Sequence, residues 1–439
     1  MKLLSSVLLL ALCLSFIPEK ALAQAPAASP LPAAVQNTSQ TQTTEYTLPP
    51  DKLAKSKALY ELRGKLRIID TLYGLLILLG LLYFGVAAKY RDIAEAAGKN
   101  RFVQALIFVA LFLITTTVLQ LPLDAYQQSI SREYGLSVQG WGSWFGDVVK
   151  GMLVGYVILT IVAWVIATLI RVSPRRWWLY SWAIIYVLIV FIVAISPVVI
   201  DPLFNKFEPL DKSNPQLVDA IEKLTQRGGL TIPRDRMFLM KASEKVTTLN
   251  AYVTGFGPSK RVVVWDTTIK NATTPETLFV YGHEMGHYVL NHILIGLAAA
   301  AVGLFIGFYL LYRIANWAFP RFQQRWRMHD LWDWVALVML LLIFSIMGTL
   351  SAPIGNGFSR QLEHNADVYG LEVTHGINAN SQETGAHAFQ VLGELALSYP
   401  YPSKAVVFWY ADHPPIPDRV KFAHSYDPWS KGEQPKYVK

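Results

Sequence analysis

The chain has a single cysteine, Cys13, in 439 residues. An intrachain disulfide is therefore excluded, and any metal site has to be built from histidine and carboxylate side chains. Charge is scarce as well: Asp, Glu, Lys and Arg make up 16% of the sequence against 53% hydrophobic residues, and the mean hydropathy is +0.31. Such a balance argues against a soluble protein and fits a polytopic membrane protein in contact with the lipid bilayer. The net charge is +8, yet there is no dense basic run and no nucleic-acid motif. The excess reads as Lys and Arg flanking membrane spans, with no nucleic acid as partner. Internal repeats are also lacking.

What is present begins with Met1 and Lys2, a short basic start, followed by an apolar stretch over 3–17 and the small-residue pattern Ala21-Leu22-Ala23. This reads as a secretory signal peptide over residues 1–23. The alternative is a retained first membrane helix, but about 15 apolar residues are short against the ~20 a span needs. Residues 24–50 are rich in Ala, Pro, Gln and Thr and predict a disordered linker. Residues 51–67 predict a charged amphipathic helix.

Six long apolar runs follow, at 71–88, 102–123, 151–170, 177–200, 289–312 and 334–354. Each is near bilayer length. Asn291 and His292 interrupt the fifth near its start, where polar groups usually face a protein interior or a wet cavity. Four runs make an N-terminal membrane domain over 51–200. Residues 201–428 hold a polar insert and the last two runs, and 429–439 form a tail. Within the insert, 216–227 predicts a helix, and 236–240, 252–254 and 261–265 predict strands.

The stretch His283-Glu284-Met285-Gly286-His287 reads H-E-x-x-H. On a helix, positions i and i+4 share a face, so His283 and His287 can aim two imidazoles at one metal ion. Glu284 can then reach a water on that ion as general base. Pro275 and Glu276 suit a helix start. The bland alternative is a chance match, but two histidines and a carboxylate are costly in an apolar helix without a partner. A catalytic zinc wants a third protein ligand. Glu363 and Asp367 are four apart and share a face. Spacing alone leaves them equally well explained as a ligand with its supporting acid or as a solvated acidic face.

Five stretches together resemble peptidase family M48, integral membrane zinc peptidases, and within it the CAAX prenyl protease type. They are 202–210, Asn250-Ala251-Tyr252, 261–269, the H-E-x-x-H, and Ser359 to Asp367 as S-R-x-x-E-x-x-A-D, within a similarity from residue 48 to about 428. The resemblance implies that Glu363 is the third zinc ligand, with one Zn2+ per chain, and that Asp367 is the supporting acid. Arg360 belongs to the same motif. It implies that Asn250 and Ala251 lie on an edge strand pairing with the substrate backbone. His413-Pro414 with Arg419 resembles the late H-P-x-x-x-x-R segment, whose His donates to the oxyanion and whose Arg braces the acids. His292, His364 and His387 are set aside as non-ligands.

The expectation is thus a mainly α, polytopic transmembrane helical bundle with a small α+β zinc metallopeptidase unit. Zinc would acidify a water, Glu284 would take its proton and later protonate the leaving amine, and zinc with His413 would stabilise the oxyanion. Substrates would be peptides, unfolded tails or lipidated proteins, cleaved as a CAAX prenyl protease does. One rival is a membrane quality-control endopeptidase without prenyl preference, and another is a non-catalytic transporter or scaffold. The signal peptide and the Lys and Arg of the short loops predict a bacterial cytoplasmic membrane with the site on its outer face.

Overall fold

The structure is a computed structural model describing residues 45–255 and 260–438. The expected signal peptide and the linker through residue 44 lie outside the described residues. The elements in order are α1 (Pro50–Tyr83), α2 (Val86–Ala96), α3 (Arg101–Glu133), α4 (Trp141–Val172), α5 (Trp177–Phe204), β1 (Phe207–Pro209), α6 (Pro215–Arg227), β2 (Met237–Met240), β3 (Ala251–Thr254), β4 (Arg261–Trp265), α7 (Thr274–Val289), α8 (His292–Phe322), α9 (Trp334–Thr374), α10 (Ser381–Leu395), α11 (Lys404–Tyr410) and α12 (Ile416–Ser425). Among the described residues, α1, α3, α4, α5, α8 and α9 are long and apolar enough to cross a membrane, so the six runs become six helices.

Local chemistry sets their ends. The run at 71–88 is cut, because Gly85 takes a φ of 69° that starts α2 in a new direction. Asn100 caps α3 by accepting the Phe102 N–H at 2.9 Å. Asp333 caps α9 through Oδ1 and takes Arg91 Nη1 at 2.9 Å on Oδ2. Both partners are buried, so this ion pair pins α2 to the start of α9.

The last of the six membrane-length helices differs most from expectation. The apolar run stops at 354, but α9 has 41 residues and carries on through Pro353 to Thr374. At 1.5 Å per residue it is a rod of about 60 Å. Its far end leaves the apolar stretch and carries Glu363 and Asp367 on the same backbone as a membrane span.

The polar insert folds as a four-stranded sheet in the order β1-β2-β4-β3. β2 and β4 are parallel, and the outer strands pair antiparallel to them. β1 has no counterpart among the expected strands; three residues around a proline carry no alternation to read. β4 is buried along its whole length, and β3 is an edge strand beside α7.

Helices α7 and α9 cross at glycines. A Cβ on Gly370 would lie 3.1 Å from the backbone N of His283, one on Gly286 would lie 3.0 Å from the Tyr369 ring, and one on Gly282 would lie 2.9 Å from Val373. Any side chain at these points would force its neighbours to shift.

Both chain ends are tied to this assembly. The expected linker reached residue 50, but Tyr46 and Leu48 are buried against α10 and α12, and Tyr46 Oη donates to the Ser398 carbonyl at 2.9 Å. Two apolar side chains in a polar, Pro-rich stretch are enough to order it. The expected tail is likewise held. Buried Glu372 accepts the Tyr426 hydroxyl and the backbone N–H groups of Lys436, Tyr437 and Val438, the last at 2.9 Å.

Gly370→Ala should force the two helices apart and destabilise the fold by roughly 1–3 kcal/mol. Gly64→Ala, with nothing within 4 Å of its new Cβ, should be neutral or slightly stabilising. Thermal unfolding in detergent compares the two, and equal melting temperatures would refute the packing argument.

Candidate metal centre

Helix α7 starts with a capping box. Thr273 accepts the Glu276 N–H, and Glu276 Oε2 accepts the Thr273 N–H at 2.7 Å. Pro275 occupies the first turn. The helix then brings His283 and His287 to one face, with their Nε2 atoms 3.2 Å apart.

Across the glycine crossing, α9 delivers Glu363. Its Oε2 lies 3.2 Å from His283 Nε2, and its Oε1 lies 3.4 Å from His287 Nε2. These three side chains are the one group of metal-binding type among the described residues. A tetrahedral ion with bonds near 2.1 Å places neighbouring ligand atoms about 3.4 Å apart. The observed spacings match that edge length. Moreover, buried Glu363 Oε2 makes no well-aligned hydrogen bond although the Nε2 atoms of His283 and His413 lie 3.2 and 3.3 Å away, an arrangement that suits a cation between them. The donor set therefore fits zinc.

The surrounding charges point the same way. Burial works against a charged His283, but Asp367 and Glu363 outweigh it and push its pKa up to about 10. His413 is pushed up to about 9, again against burial, by Glu363 and Asp412. A cluster that grips protons so firmly is short of positive charge, which a divalent ion supplies as it displaces them. Burial raises the Glu284 carboxyl above the usual range, with His283 and His287 pulling it back.

The other expected residues take distinct places. Asp367 Oδ1 lies 2.8 Å from His283 Nδ1, fixing which ring nitrogen faces the cluster. Arg419 grips both oxygens of Asp367, Nε to Oδ2 at 2.9 Å, and lies over the Phe389 ring. His413 Nε2 is 3.3 Å from Glu363 Oε2, and its Nδ1 is 2.8 Å from Asp412 Oδ1. Arg360 donates to the carbonyls of Val407, at 3.0 Å, and Ala411. It thus holds the end of α11 that leads directly into Asp412 and His413.

Asn250 departs from the expected backbone pairing. Its N–H donates to Thr268 Oγ1 at 2.8 Å, and its carbonyl accepts from Thr268 and from the Trp265 N–H. Both backbone groups are used inside the protein. Antiparallel strands alternate direction, so Ala251 turns its backbone groups away from β4 instead, although the residue is fully buried.

Among the residues set aside, His364 packs on Phe422 and His387 pairs with Glu276, both away from the cluster. His292 does not stand apart: its Nδ1 is 3.0 Å from His287 Nδ1. Asp412 was also missed, although it directly precedes His413 in the sequence. Phe389 under Arg419 had no sequence signal at all.

Comparison with known proteins agrees with this architecture. Residues 33–206 match the family described as CAAX prenyl protease N-terminal, five membrane helices, and 211–427 match peptidase family M48. An uncharacterized metalloprotease of Bacillus subtilis, YhfN, is 34% identical over 90% of each chain. A CAAX prenyl protease 1 homolog of Caenorhabditis elegans is 26% identical over 74% of this chain and 77% of its own. The crystal structure of S. mikatae Ste24p shares the fold, with a TM-score of 0.74, 22% identity, and coverage of 96% of this chain and 99% of that one.

Glu363→Ala should abolish most metal retention, whereas His364→Ala should leave it unchanged. Metal analysis of the two purified variants decides, and full retention in Glu363→Ala would remove Glu363 from the ligand set.

Proposed function

The chain belongs to peptidase family M48, and from that premise we propose a membrane-embedded endopeptidase using one zinc ion per chain, held by His283, His287 and Glu363. The observation that carries this reading is the pair of histidine Nε2 atoms 3.2 Å apart with one oxygen of Glu363 within 3.4 Å of each, and an acid between the two histidines. Bound there, zinc would supply an acidified water and a polarised peptide carbonyl.

The chain's own residues supply the rest. Glu284 takes the proton and passes it to the leaving amine, and its raised pKa suits both roles. His413, held protonated by Glu363 and Asp412, donates to the developing oxyanion. Asp367 and Arg419 fix the His283 ring, and Arg360 fixes the segment bearing His413. As an edge strand, β3 is where the substrate would add as a further strand, which requires uncovering the buried Ala251.

For substrate we favour lipidated or unfolded C-terminal segments of the CAAX type, supported by the relatives named CAAX prenyl protease 1. The second reading, quality control without prenyl preference, is separated by assaying prenylated against plain peptides, with and without chelator. Glu284→Gln should keep the metal and lose cleavage by at least about a hundredfold. Near-normal turnover in that variant would rule out the mechanism.

We also place the site on the outer face of the membrane. Four spans before the sheet and two after it leave residues 45–52, the insert and the C-terminal helices on one side, consistent with the Lys52–Glu394 ion pair. The opposite loops 89–101, 171–176 and 313–327 hold four, three and four Lys or Arg, whereas 124–150 holds only Arg132 and Lys150. Alkaline phosphatase joined after Lys439 should therefore be active, and a fusion within 171–176 silent. The reverse pattern, favoured by the six basic residues over 52–67, would place the site in the cytosol.

A further inference from the structure

The nearest buried group to the metal cluster without a role so far is His292. It is 5% exposed, and its ring meets that of His287 at 75° with centroids 5.0 Å apart. The approach is not a product of helical spacing. Five residues along a continuous helix turn through about 140°, which would send His292 away from His287. Asn291 breaks that course. It adopts a left-handed φ of 57°, ends α7 and restarts the chain as α8. Asn is among the few non-glycine residues that tolerate this conformation. The kink brings His292 back beneath His287.

We propose that His292 is the positioning residue for the second metal-binding histidine. Two Nδ1 atoms 3.0 Å apart need one donor and one acceptor. If His287 offers its Nε2 lone pair to the metal, its proton sits on Nδ1, so His287 donates and His292 accepts. His292 then carries its own proton on Nε2 and stays neutral. The two histidines are thus held by unlike partners. Asp367 holds His283 with a negative charge that Arg419 balances, and a neutral ring holds His287. A carboxylate at 292 would add an unbalanced negative charge beside Glu363 and Glu284 and weaken the ion's pull on a carbonyl. The inference rests on the reading that His287 binds the metal.

The test uses the full-length protein in detergent with zinc as the probe, and compares His292→Leu, His292→Asn and His287→Ala. His292→Leu should weaken zinc binding about 10–100-fold in a chelator competition. The melting temperature of its metal-free form should stay near that of the parent. His292→Asn, whose Oδ1 can accept where Nδ1 did, should recover most of the affinity. In cobalt-loaded protein the visible bands should change in His292→Leu and return in His292→Asn. Parental zinc affinity in His292→Leu, equal losses in the Leu and Asn variants, or a loss that merely tracks metal-free melting would each overturn the proposal. His287→Ala separates the two levels. If it keeps zinc, the ligand assignment falls and this inference with it; if it loses zinc while His292→Leu keeps it, only the inference falls.

Discussion

The site depends on how closely two helix backbones can approach. At Gly370 the backbone of α9 nearly touches the backbone N of His283, and Gly282 and Gly286 keep the facing side of α7 equally bare. The short axis-to-axis distance lets a carboxylate on one helix share an ion with imidazoles on the other. Polar groups buried at the crossing need a partner, whether a protein group or an ion. Asp367 therefore meets Arg419, and Arg419 in turn lies on Phe389 of α10. The C-terminal helices are thereby bound to the metal site and cannot be regarded as an appendage.

Much of this was legible because it follows from helical spacing. The i, i+4 pairs His283/His287 and Glu363/Asp367 declare shared faces, and bilayer-length apolar runs declare spans. What escaped notice was where such periodicity is interrupted or hidden. The apolar run ends at 354, whereas the helix that contains it carries on through Pro353 to Thr374 without a break. Asn291 redirects the chain by one left-handed residue, which a helical reading cannot anticipate, so His292 looked remote from His287. The use of Asn250's backbone by Thr268 and Trp265 is a tertiary fact with no local signature. Tyr46 and Leu48 were hidden by the composition of their neighbours. Asn250-Ala251, Glu363 as a ligand and His413 gained their meaning from family resemblance, since spacing left them ambiguous.

Rigidity and access are divided between different parts of the molecule. The rigid side is α7, α9 and the buried strand β4. The more open side is the segment around His413, whose side chain is 40% exposed and which Arg360 steadies through two carbonyls at the end of α11.

Glu372 gives the far end of α9 a distant partner. It lies on α9 beyond Glu363, and its partners include the backbone of residues 436–438, which lie 64 to 66 positions further along the chain. A buried carboxylate that lost those donors would keep its desolvation cost without compensation. Trimming a few residues near the C-terminus would therefore be felt on the same helix that carries Glu363 and Asp367, far from the cut in sequence.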